Sequence, residues 1–310
     1  MTNKIPLFLS SDENYAPQMA IAMLSCLTHT DSFIEFYILD AGITDDSKNK
    51  ILKTLKRYKN FSIEYIFIDM NIFNDFANTE SYLNKVTYLR LLIPSIKPNL
   101  TCAIYSDVDV LFMGDIVELY NMELDGHVIG AVPDAYYLVN KGANDIYNRL
   151  GLSITHNYLN AGLLLIDCQK WREKNMFARV LDIMRTKKED IVQADQDILN
   201  IMFNNNDYKL LDTKWNVMNG YIKCADRFSD LALSIKRPVI RHYESDKKPW
   251  TTRRLQKQKM RHFYIWWRVA HRTPFFSRLK IVFETARKSH YFWLFGMPII
   301  KKEKLLIKCQ

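Results

Sequence analysis

The first 250 residues alternate between short apolar runs of strand length and segments whose apolar residues recur at helical spacing. Residues 33–39 and 63–68 have the composition of buried strands, whereas residues 15–27 and 45–58 carry apolar side chains three and four positions apart. Further strand-like runs cover residues 103–105, 128–132 and 163–166. Strands that alternate with helices form a mostly parallel sheet with helices on both faces. We therefore predict an α/β fold whose ligand crevice lies beyond the carboxyl ends of the strands.

The positive charge of the chain is concentrated near its C-terminus. Residues 251–310 contain 15 Lys and Arg against two acids, whereas the first 250 residues have 28 basic and 32 acidic groups. The same segment holds 11 of the 40 aromatic residues. We therefore predict a main domain at residues 1–250 and a basic, aromatic-rich helical tail at residues 251–310.

Within this tail, apolar residues recur at helical spacing over residues 275–286, and most basic side chains fall elsewhere around that helix. A basic amphipathic helix of this kind suits attachment to an anionic membrane surface. Two alternatives remain open, a helix packed on the main domain with its basic face in solvent and a nucleic-acid-binding segment. No recognisable nucleic-acid-binding fold accompanies the tail, so we expect no nucleic-acid partner.

Other features argue against a secreted or membrane-spanning protein. The first residues lead directly into a strand-like run without the small-residue cleavage site of an export signal. The longest apolar stretch, residues 291–300, is about half the length of a membrane-spanning helix. The five cysteines are scattered and form no CxxC pair, which suggests neither a zinc site nor a disulfide framework. We expect a cytoplasmic protein with reduced thiols.

Two acids interrupt the apolar segment at residues 103–112. Side chains alternate along an extended chain, so Asp107 and Asp109 project to the same side, about 7 Å apart. Two carboxylates at this spacing suit one divalent cation, and burying them without a counterion is costly. The alternative is a solvated strand end that carries two unrelated acids.

A histidine and a lysine follow the strand-like residues 238–240. The His242 imidazole suits a mixed oxygen and nitrogen shell, which Mn²⁺ accepts more readily than Mg²⁺ does, and Lys248 suits a phosphate oxygen. A structural histidine and a solvated lysine are the alternatives.

The polar run Ser10-Ser11-Asp12-Glu13-Asn14-Tyr15 follows the first strand and opens a helix. Backbone N–H groups at such a point favour anions, and the side chains suit hydrogen bonding to or stacking on a nucleobase. A simple helix N-cap is the alternative. The chain has neither of the glycine-rich phosphate loops of dinucleotide and P-loop sites.

These motifs, in this order, resemble the retaining glycosyltransferases of family 8, among them the bacterial lipopolysaccharide and lipooligosaccharide α-galactosyl- and α-glucosyltransferases. The resemblance covers about residues 5–250. Besides the two acids, His242-Tyr243 and the run that begins at Ser10, its matching pieces are Leu39-Asp40-Ala41-Gly42-Ile43, Thr87-Tyr88-Leu89-Arg90-Leu91, Asn160-Ala161-Gly162-Leu163, Asp195-Gln196-Asp197-Ile198-Leu199-Asn200 and Lys248-Pro249-Trp250.

The resemblance implies a Rossmann-like nucleotide-sugar-binding domain of GT-A type with a mostly parallel mixed sheet. It implies that Mn²⁺, or Mg²⁺, is held by Asp107, Asp109 and His242, and that Lys248 contacts the diphosphate of a UDP-sugar. By the same resemblance the uridine contacts are Ser10, Asp12, Asn14 and Tyr15. Residues around the donor sugar are Arg90, Asn160, Asp134 and the catalytic pair Asp195 and Gln196. The alternatives are a surface arginine, a turn at Asn160 and an acidic first helical turn.

Retention of anomeric configuration requires either double displacement or attack from the face that the diphosphate leaves. Gln196 occupies the position where a nucleophile is sought, but a neutral amide is a poor nucleophile. Front-face substitution, with the leaving diphosphate taking the acceptor proton, is therefore our hypothesis. The sequence departs from the family where Ser245 and Thr251 replace a glycine and a histidine, and Glu244 and Asp246 add two acids.

The function implied is transfer of galactose or glucose from UDP-galactose or UDP-glucose to a lipopolysaccharide- or lipooligosaccharide-type glycolipid or oligosaccharide. The tail would place the enzyme at the inner face of the cytoplasmic membrane. Two alternatives remain open, a noncatalytic membrane-peripheral nucleotide-sugar-binding protein and a nucleotidyltransferase, which would release pyrophosphate.

Overall fold

The structure, a computed structural model, describes residues 4–77, 85–135, 145–223, 229–244, 248–251, 257–276, 284–286, 289–294 and 297–301. Its strands are β1 Lys4–Ser11, β2 Phe33–Asp40, β3 Phe61–Phe67, β4 Cys102–Ser106, β5 Val110–Phe112, β6 Ile129–Pro133, β7 Leu159–Asp167, β8 Lys209–Leu210, β9 Ile240–His242, β10 Glu284–Ala286, β11 Ser289–Leu294 and β12 Met297–Lys301. Its α-helices are α1 Ala16–Thr28, α2 Asp45–Leu55, α3 Ile93–Ile96, α4 Val117–Tyr120, α5 Asp145–Leu150, α6 Cys168–Glu173, α7 Met176–Lys187, α8 Ala194–Met202, α9 Asn219–Lys223, α10 Ser229–Lys236 and α11 Lys257–Ala270.

The main sheet has seven strands in the order β3-β2-β1-β4-β7-β6-β8. Six strands run in one direction, and only β7 runs antiparallel to both of its neighbours. The central strands are buried along nearly their whole length because helices cover both faces, which explains their continuous apolar sequences. The prediction of a mostly parallel mixed sheet in an α/β fold is confirmed.

Helix α1 is apolar around its whole circumference, since it lies between the sheet and a second helix. Nearly every side chain from Ala16 to Leu27 is buried. Ile21 packs in a cluster with Leu111 of β5 and with Phe263 and Trp266 of α11, whereas most other apolar residues of α1 belong to the core of one sheet face. A helix that is apolar on every side is stable only when both sides are covered. The start of the tail thus packs on α1.

Strands β5 and β9 form a separate antiparallel ribbon beside the main sheet. The ribbon pairs Val110 with His242 and Phe112 with Ile240, and Val217 adds an isolated bridge to Arg241. This pairing brings a chain segment from far along the sequence next to the segment that follows β4.

The tail contains the helix α11 and a three-stranded sheet in the order β10-β11-β12. The amphipathic helix predicted over residues 275–286 lies mostly outside the described residues. Its last three residues, Glu284–Ala286, form β10 rather than a helix, because they pair antiparallel with the strand β11 that follows. Among the residues with described structure, no helix is both long and apolar enough to cross a bilayer.

Candidate active site

The carboxyl edge of the main sheet gathers most of the predicted site residues. Asp107 follows the end of β4, and Asp134 follows the end of β6. Because β7 runs in the opposite direction, its beginning lies at this same edge, with Leu163 opposite Ser106 and Asn160 opposite Val132. Residues that start β7 therefore meet residues that follow β4 and β6.

Asp107, Asp109 and His242 lie together, as the family resemblance implies. Each offers one ligand atom, and these atoms lie within 4.8 Å of one another. His242 Nε2 is 3.1 Å from Asp109 Oδ1 and 3.8 Å from Asp107 Oδ2. The ribbon explains the placement of the imidazole, since His242 pairs with Val110 and the Tyr243 N–H donates to the Asp109 carbonyl at 2.9 Å.

The donor set of this cluster fits a divalent cation such as Mn²⁺, which binds both carboxylate and imidazole ligands. A glycine makes the approach of the ligands possible. A Cβ atom on Gly162 would lie 2.4 Å from His242 Cε1 and 2.9 Å from Asp107 Oδ2, closer than side chains approach one another. The Gly162 carbonyl also accepts the Asp107 N–H at 2.8 Å, so β7 holds the first acid directly.

Neighbouring charges shift the pKa values of Asp109 and His242 in opposite directions. Burial alone raises the pKa of Asp109, but the nearby Lys248 and His242 outweigh it and hold that pKa well below its usual range. Burial lowers the pKa of His242, and the attraction of Asp109 more than reverses this, so the net shift is upward. The Lys248 ammonium contacts Asp109 Oδ2. The carboxylate of Asp109 is thus held as an anion between the Lys248 ammonium and the His242 imidazole.

Arg90 is buried and pairs with two acids, which excludes the alternative of a surface arginine. Its Nη2 is 2.9 Å from Asp107 Oδ1, and its Nε is 3.0 Å from Asp195 Oδ2. The guanidinium also lies over the Tyr105 ring, 4.3 Å from the centroid. Burial raises the pKa of Asp195 to about 6 despite the opposing attraction of Arg90. Arg90 therefore joins the metal-ligand candidates to the predicted catalytic pair.

Three of the predicted donor-sugar residues form one hydrogen-bonded amide cluster. Asn160 Nδ2 donates to Asp134 Oδ2 at 2.9 Å and to Gln196 Oε1 at 3.2 Å. Gln196 Oε1 also accepts the Ala161 N–H at 3.1 Å. Asn160 lies inside β7 rather than in a turn. The carboxamide of Gln196 is thus held by two donors at the edge of the sheet.

The predicted uridine residues divide into two groups. Asp12 accepts the Tyr15 N–H at 3.1 Å and so caps the short 3₁₀ helix Glu13–Tyr15, as the alternative interpretation predicted. Asn14 Nδ2 contacts Asp12 at 3.2 Å. The Tyr15 ring nevertheless borders the candidate metal cluster, with Lys248 Nζ 6.0 Å from its centroid.

Ser10 is directed toward the acids rather than along the surface. Its Oγ lies 2.8 Å from Tyr105 Oη, which donates to Asp107 Oδ1 at 2.7 Å. Asn14 and Tyr15 therefore remain the more accessible candidates for nucleobase contact, while Ser10 helps to fix the carboxylate of Asp107. The uridine role of all four residues stays a prediction.

The sequence reasoning missed two residues of the site, Tyr105 and Asn216. Tyr105 is an apolar-looking position inside β4, and only its hydroxyl group signals a polar role. Asn216 is fully buried, and its Oδ1 atom lies 3.0 Å from His242 Nδ1. Tyr105 lies only two residues before Asp107, but a tyrosine inside an apolar strand indicates a core residue. Asn216 lies 26 residues before His242, so no short motif connects the two.

Of the two acids by which the sequence departs from the family pattern, Glu244 binds backbone groups. Glu244 accepts the backbone N–H groups of Asn219 and Gly220 at 2.8 and 2.9 Å, at the start of α9. Its negative charge therefore contributes to helix capping. Asp246 and Ser245 lie outside the described residues.

Comparison with known proteins agrees with this geometry. Residues 6–253 match the sequence profile described as Glycosyl transferase family 8. A Haemophilus influenzae protein that carries a provisional glycosyltransferase name is 31% identical over 252 residues, which is 79% of this chain and 72% of that protein. General stress protein A of Bacillus subtilis is 27% identical over 78% of this chain and 86% of its own length.

A solved structure gives the same result for the fold. The galactosyltransferase LgtC, solved in complex with donor and acceptor sugar analogues, superposes with a TM-score of 0.74 at 25% identity. The match covers 87% of this chain and 96% of LgtC. A mixed sheet of GT-A type, an Asp-Asp-His cluster at its carboxyl edge and a profile match over most of the sequence lead to one conclusion. The chain belongs to glycosyl transferase family 8.

Proposed function

We propose that the protein is a retaining hexosyltransferase that moves galactose or glucose from a UDP-sugar to a lipopolysaccharide- or lipooligosaccharide-type acceptor. The observation that carries the proposal is the cluster of Asp107, Asp109 and His242, with Lys248 against it. LgtC, whose name describes a galactosyltransferase and which was solved with donor and acceptor sugar analogues, supports this choice of reaction.

In this proposal the two acids and His242 hold Mn²⁺, or Mg²⁺ in its place. When bound there, the cation supplies positive charge that stabilises the departing diphosphate. Lys248 lies against Asp109, close enough to the cluster to contact a diphosphate oxygen as a point charge. Tyr15, whose ring borders Lys248, is the residue we assign to stacking on the uracil.

The donor sugar would lie near Arg90, Asp195, Asn160, Gln196 and Asp134. We favour front-face substitution because Gln196 Oε1 already accepts hydrogen bonds from two N–H donors, which reduces its nucleophilicity further. Asp195 is buried and paired with Arg90, so its carboxylate positions the arginine. The residues on this side would bind and orient the sugar, while the leaving diphosphate would take the acceptor proton.

The first experiment measures UDP release from a panel of UDP-sugars, with and without Mn²⁺. We expect slow hydrolysis of UDP-galactose or UDP-glucose that requires the metal and is lost in Asp109→Asn. Asp182→Asn is a matched control. Asp182 is an exposed acid, and within the described residues its ion-pair partner is Arg185. This control should keep the wild-type rate.

The alternatives give different outcomes in the same assay. Absence of both turnover and nucleotide binding with every UDP-sugar would favour a noncatalytic protein. Pyrophosphate in place of UDP would identify a nucleotidyltransferase. Equal activity in Asp109→Asn and wild type would remove the metal cluster from the mechanism.

We further propose that the tail attaches the enzyme to the inner face of the cytoplasmic membrane, where a glycolipid acceptor is presented. Phe263, Trp266 and Trp267 of α11 are buried against the main domain, so the attachment would use residues after that helix. A chain ending at residue 276 keeps α11 and should lose affinity for anionic vesicles while it keeps UDP-sugar hydrolysis. Undiminished vesicle binding would contradict the proposal.

A further inference from the structure

Asn216 is a fully buried amide that contacts two parts of the site. It follows the 3₁₀ turn Thr213–Trp215, and none of its surface is exposed. Its Oδ1 lies 3.0 Å from His242 Nδ1, and its Nδ2 donates to Asn160 Oδ1 at 2.9 Å. Asn216 therefore links the imidazole of the candidate metal cluster to the amide cluster around Gln196.

The orientation of these amides follows from the backbone. The Gly162 N–H can only donate, and it lies 3.0 Å from the Asn160 side-chain atom that also contacts Asn216. That Asn160 atom must therefore be its oxygen, and the Asn216 atom that faces it must be the NH₂ group. The Asn216 oxygen then faces His242 Nδ1, and a hydrogen bond between them requires a proton on that nitrogen.

We propose that Asn216 is a positioning residue that holds His242 in the tautomer protonated at Nδ1, so that the Nε2 lone pair is presented to a divalent cation. The inference rests on the proposed function, since it concerns the same metal cluster. Nε2 is the nitrogen that faces both carboxylates, at 3.1 Å from Asp109 and 3.8 Å from Asp107. A ligating histidine whose other nitrogen donates to a fixed acceptor keeps both its tautomer and its ring orientation.

Because Asn216 is fully buried, its two contacts are difficult to replace. The amide of Asn216 has no exposed surface, so water does not replace it as an acceptor without a rearrangement of the site. Removing it leaves a buried Nδ1–H and a buried Asn160 oxygen short of one partner each. The imidazole is then free to rotate or to change tautomer. Rotation turns the Nε2 lone pair away from the acids, and a change of tautomer places a proton on Nε2.

Two variants separate the roles of the two amide atoms. Asn216→Ala removes both contacts, and we expect Mn²⁺ binding to weaken about 10- to 100-fold, the usual effect of losing a partner of a ligating histidine. Asn216→Asp keeps an oxygen for the His242 Nδ1–H, loses the donor toward Asn160 and adds a negative charge. Because a carboxylate is a common partner of a ligating histidine, its Mn²⁺ affinity should not fall as that of Asn216→Ala does. Affinity is measured from free Mn²⁺ by electron paramagnetic resonance, with saturating UDP.

Asn200→Ala is the matched control. Asn200 is also fully buried, and its side chain bonds to the backbone of Leu159 and Gln196 and to His156 Nε2. Among the described residues, no hydrogen bond joins it to Asp107, Asp109 or His242. This variant should lose thermal stability and keep its Mn²⁺ affinity. A loss equal to that of Asn216→Ala would mean that any buried amide has the same general effect.

The tautomer is read directly from the ¹⁵N shifts of histidine-labelled protein at a pH where the imidazole is neutral, with His242→Gln to assign the signal. We expect wild type to carry the proton on Nδ1. A proton on Nε2 would overturn the proposal without any variant, as would an Asn216→Ala variant that folds and binds Mn²⁺ like wild type. Failure of wild type itself to bind Mn²⁺ would instead refute the proposed function.

Discussion

Replacement of Gly162 by alanine tests whether close packing of β7 against the ligand cluster is required for activity. The added Cβ would lie 2.4 Å from His242 Cε1, and 2.9 Å from both His242 Nδ1 and Asp107 Oδ2. Ordinary contacts at such an atom begin at 3.4 Å. The imidazole must therefore move by about 1 Å, or β7 must move away from β4, where Gly162 accepts the Asp107 N–H.

Two consequences of this displacement differ in size. Overpacking a buried position lowers the free energy of unfolding by about 1–3 kcal/mol, which the fold tolerates. A displacement of about 1 Å in the catalytic geometry reduces the rate about 100-fold. We therefore expect Gly162→Ala to remain folded, to lose at least about 100-fold in kcat/KM for the UDP-sugar and to bind Mn²⁺ more weakly.

Gly130→Ala is the control for this experiment. Gly130 lies in the neighbouring strand β6, and the atoms nearest to a Cβ there belong to the flexible side chains of Leu124 and Leu211, at 3.0 Å. Both variants should show similar shifts in urea denaturation, and only Gly162→Ala should lose activity and Mn²⁺ affinity. The reasoning is refuted if Gly162→Ala keeps wild-type kcat/KM and Mn²⁺ affinity, or if the control loses as much of either.

Three further predictions concern single side chains of the site. Gln196→Ala should lose about 100-fold or less in kcat, because Gln196 positions the sugar rather than attacking it; complete loss of UDP release, or a trapped glycosyl-enzyme in wild type, would contradict this. Lys248→Ala should raise the KM for the UDP-sugar about tenfold, the effect of one lost charge-assisted hydrogen bond. Steady-state kinetics measure this, and an unchanged KM would contradict it. The pKa of Asp195 is raised to about 6, so the fold binds this proton more tightly than the unfolded chain does. The stability linked to it is complete below about pH 4 and is lost as the pH rises through 6. From pH 4 to pH 7, the unfolding free energy of Asp195→Asn should therefore rise by about 2 kcal/mol relative to that of wild type. Urea denaturation at each pH measures this, and a difference between the two proteins that does not change with pH would refute the pKa shift.

Local sequence patterns are sufficient for most of the strands and helices of the main domain. The strand predicted at residues 33–39 is Phe33–Asp40, and the helix predicted at residues 45–58 is Asp45–Leu55. Both patterns can be recognised from the residues alone. A buried strand is continuously apolar, and a surface helix has apolar residues every three or four positions. The same rule predicts a helix near residue 286, where Glu284–Ala286 instead forms a strand through pairing with a later segment.

Backbone conformations that depend on tertiary structure leave no such pattern. Ala194 is fully buried with a φ of 49°, a left-handed conformation that costs an alanine about 1–2 kcal/mol. Alanine has the highest helix propensity, so its sequence gives no sign of this turn just before Asp195 and Gln196. The surrounding packing must supply this free energy, and the first turn of α8 then holds Asp195 and Gln196 at the site.

The direction of β7 determines which site residues can be predicted from the rule that ligands bind beyond the carboxyl ends of the strands. In a fully parallel sheet, only residues after each strand reach that crevice, and the rule finds Asp107 and Asp134. Reversal of one strand brings its first residues to the same edge, so Asn160 and Gly162 enter the site from inside β7. Strand direction is a property of the whole sheet, and the apolar run at residues 163–166 is the same in either direction. The family motif supplies these residues from sequence, and the antiparallel pairing of β7 with β4 and β6 is the physical reason that the motif lies where it does.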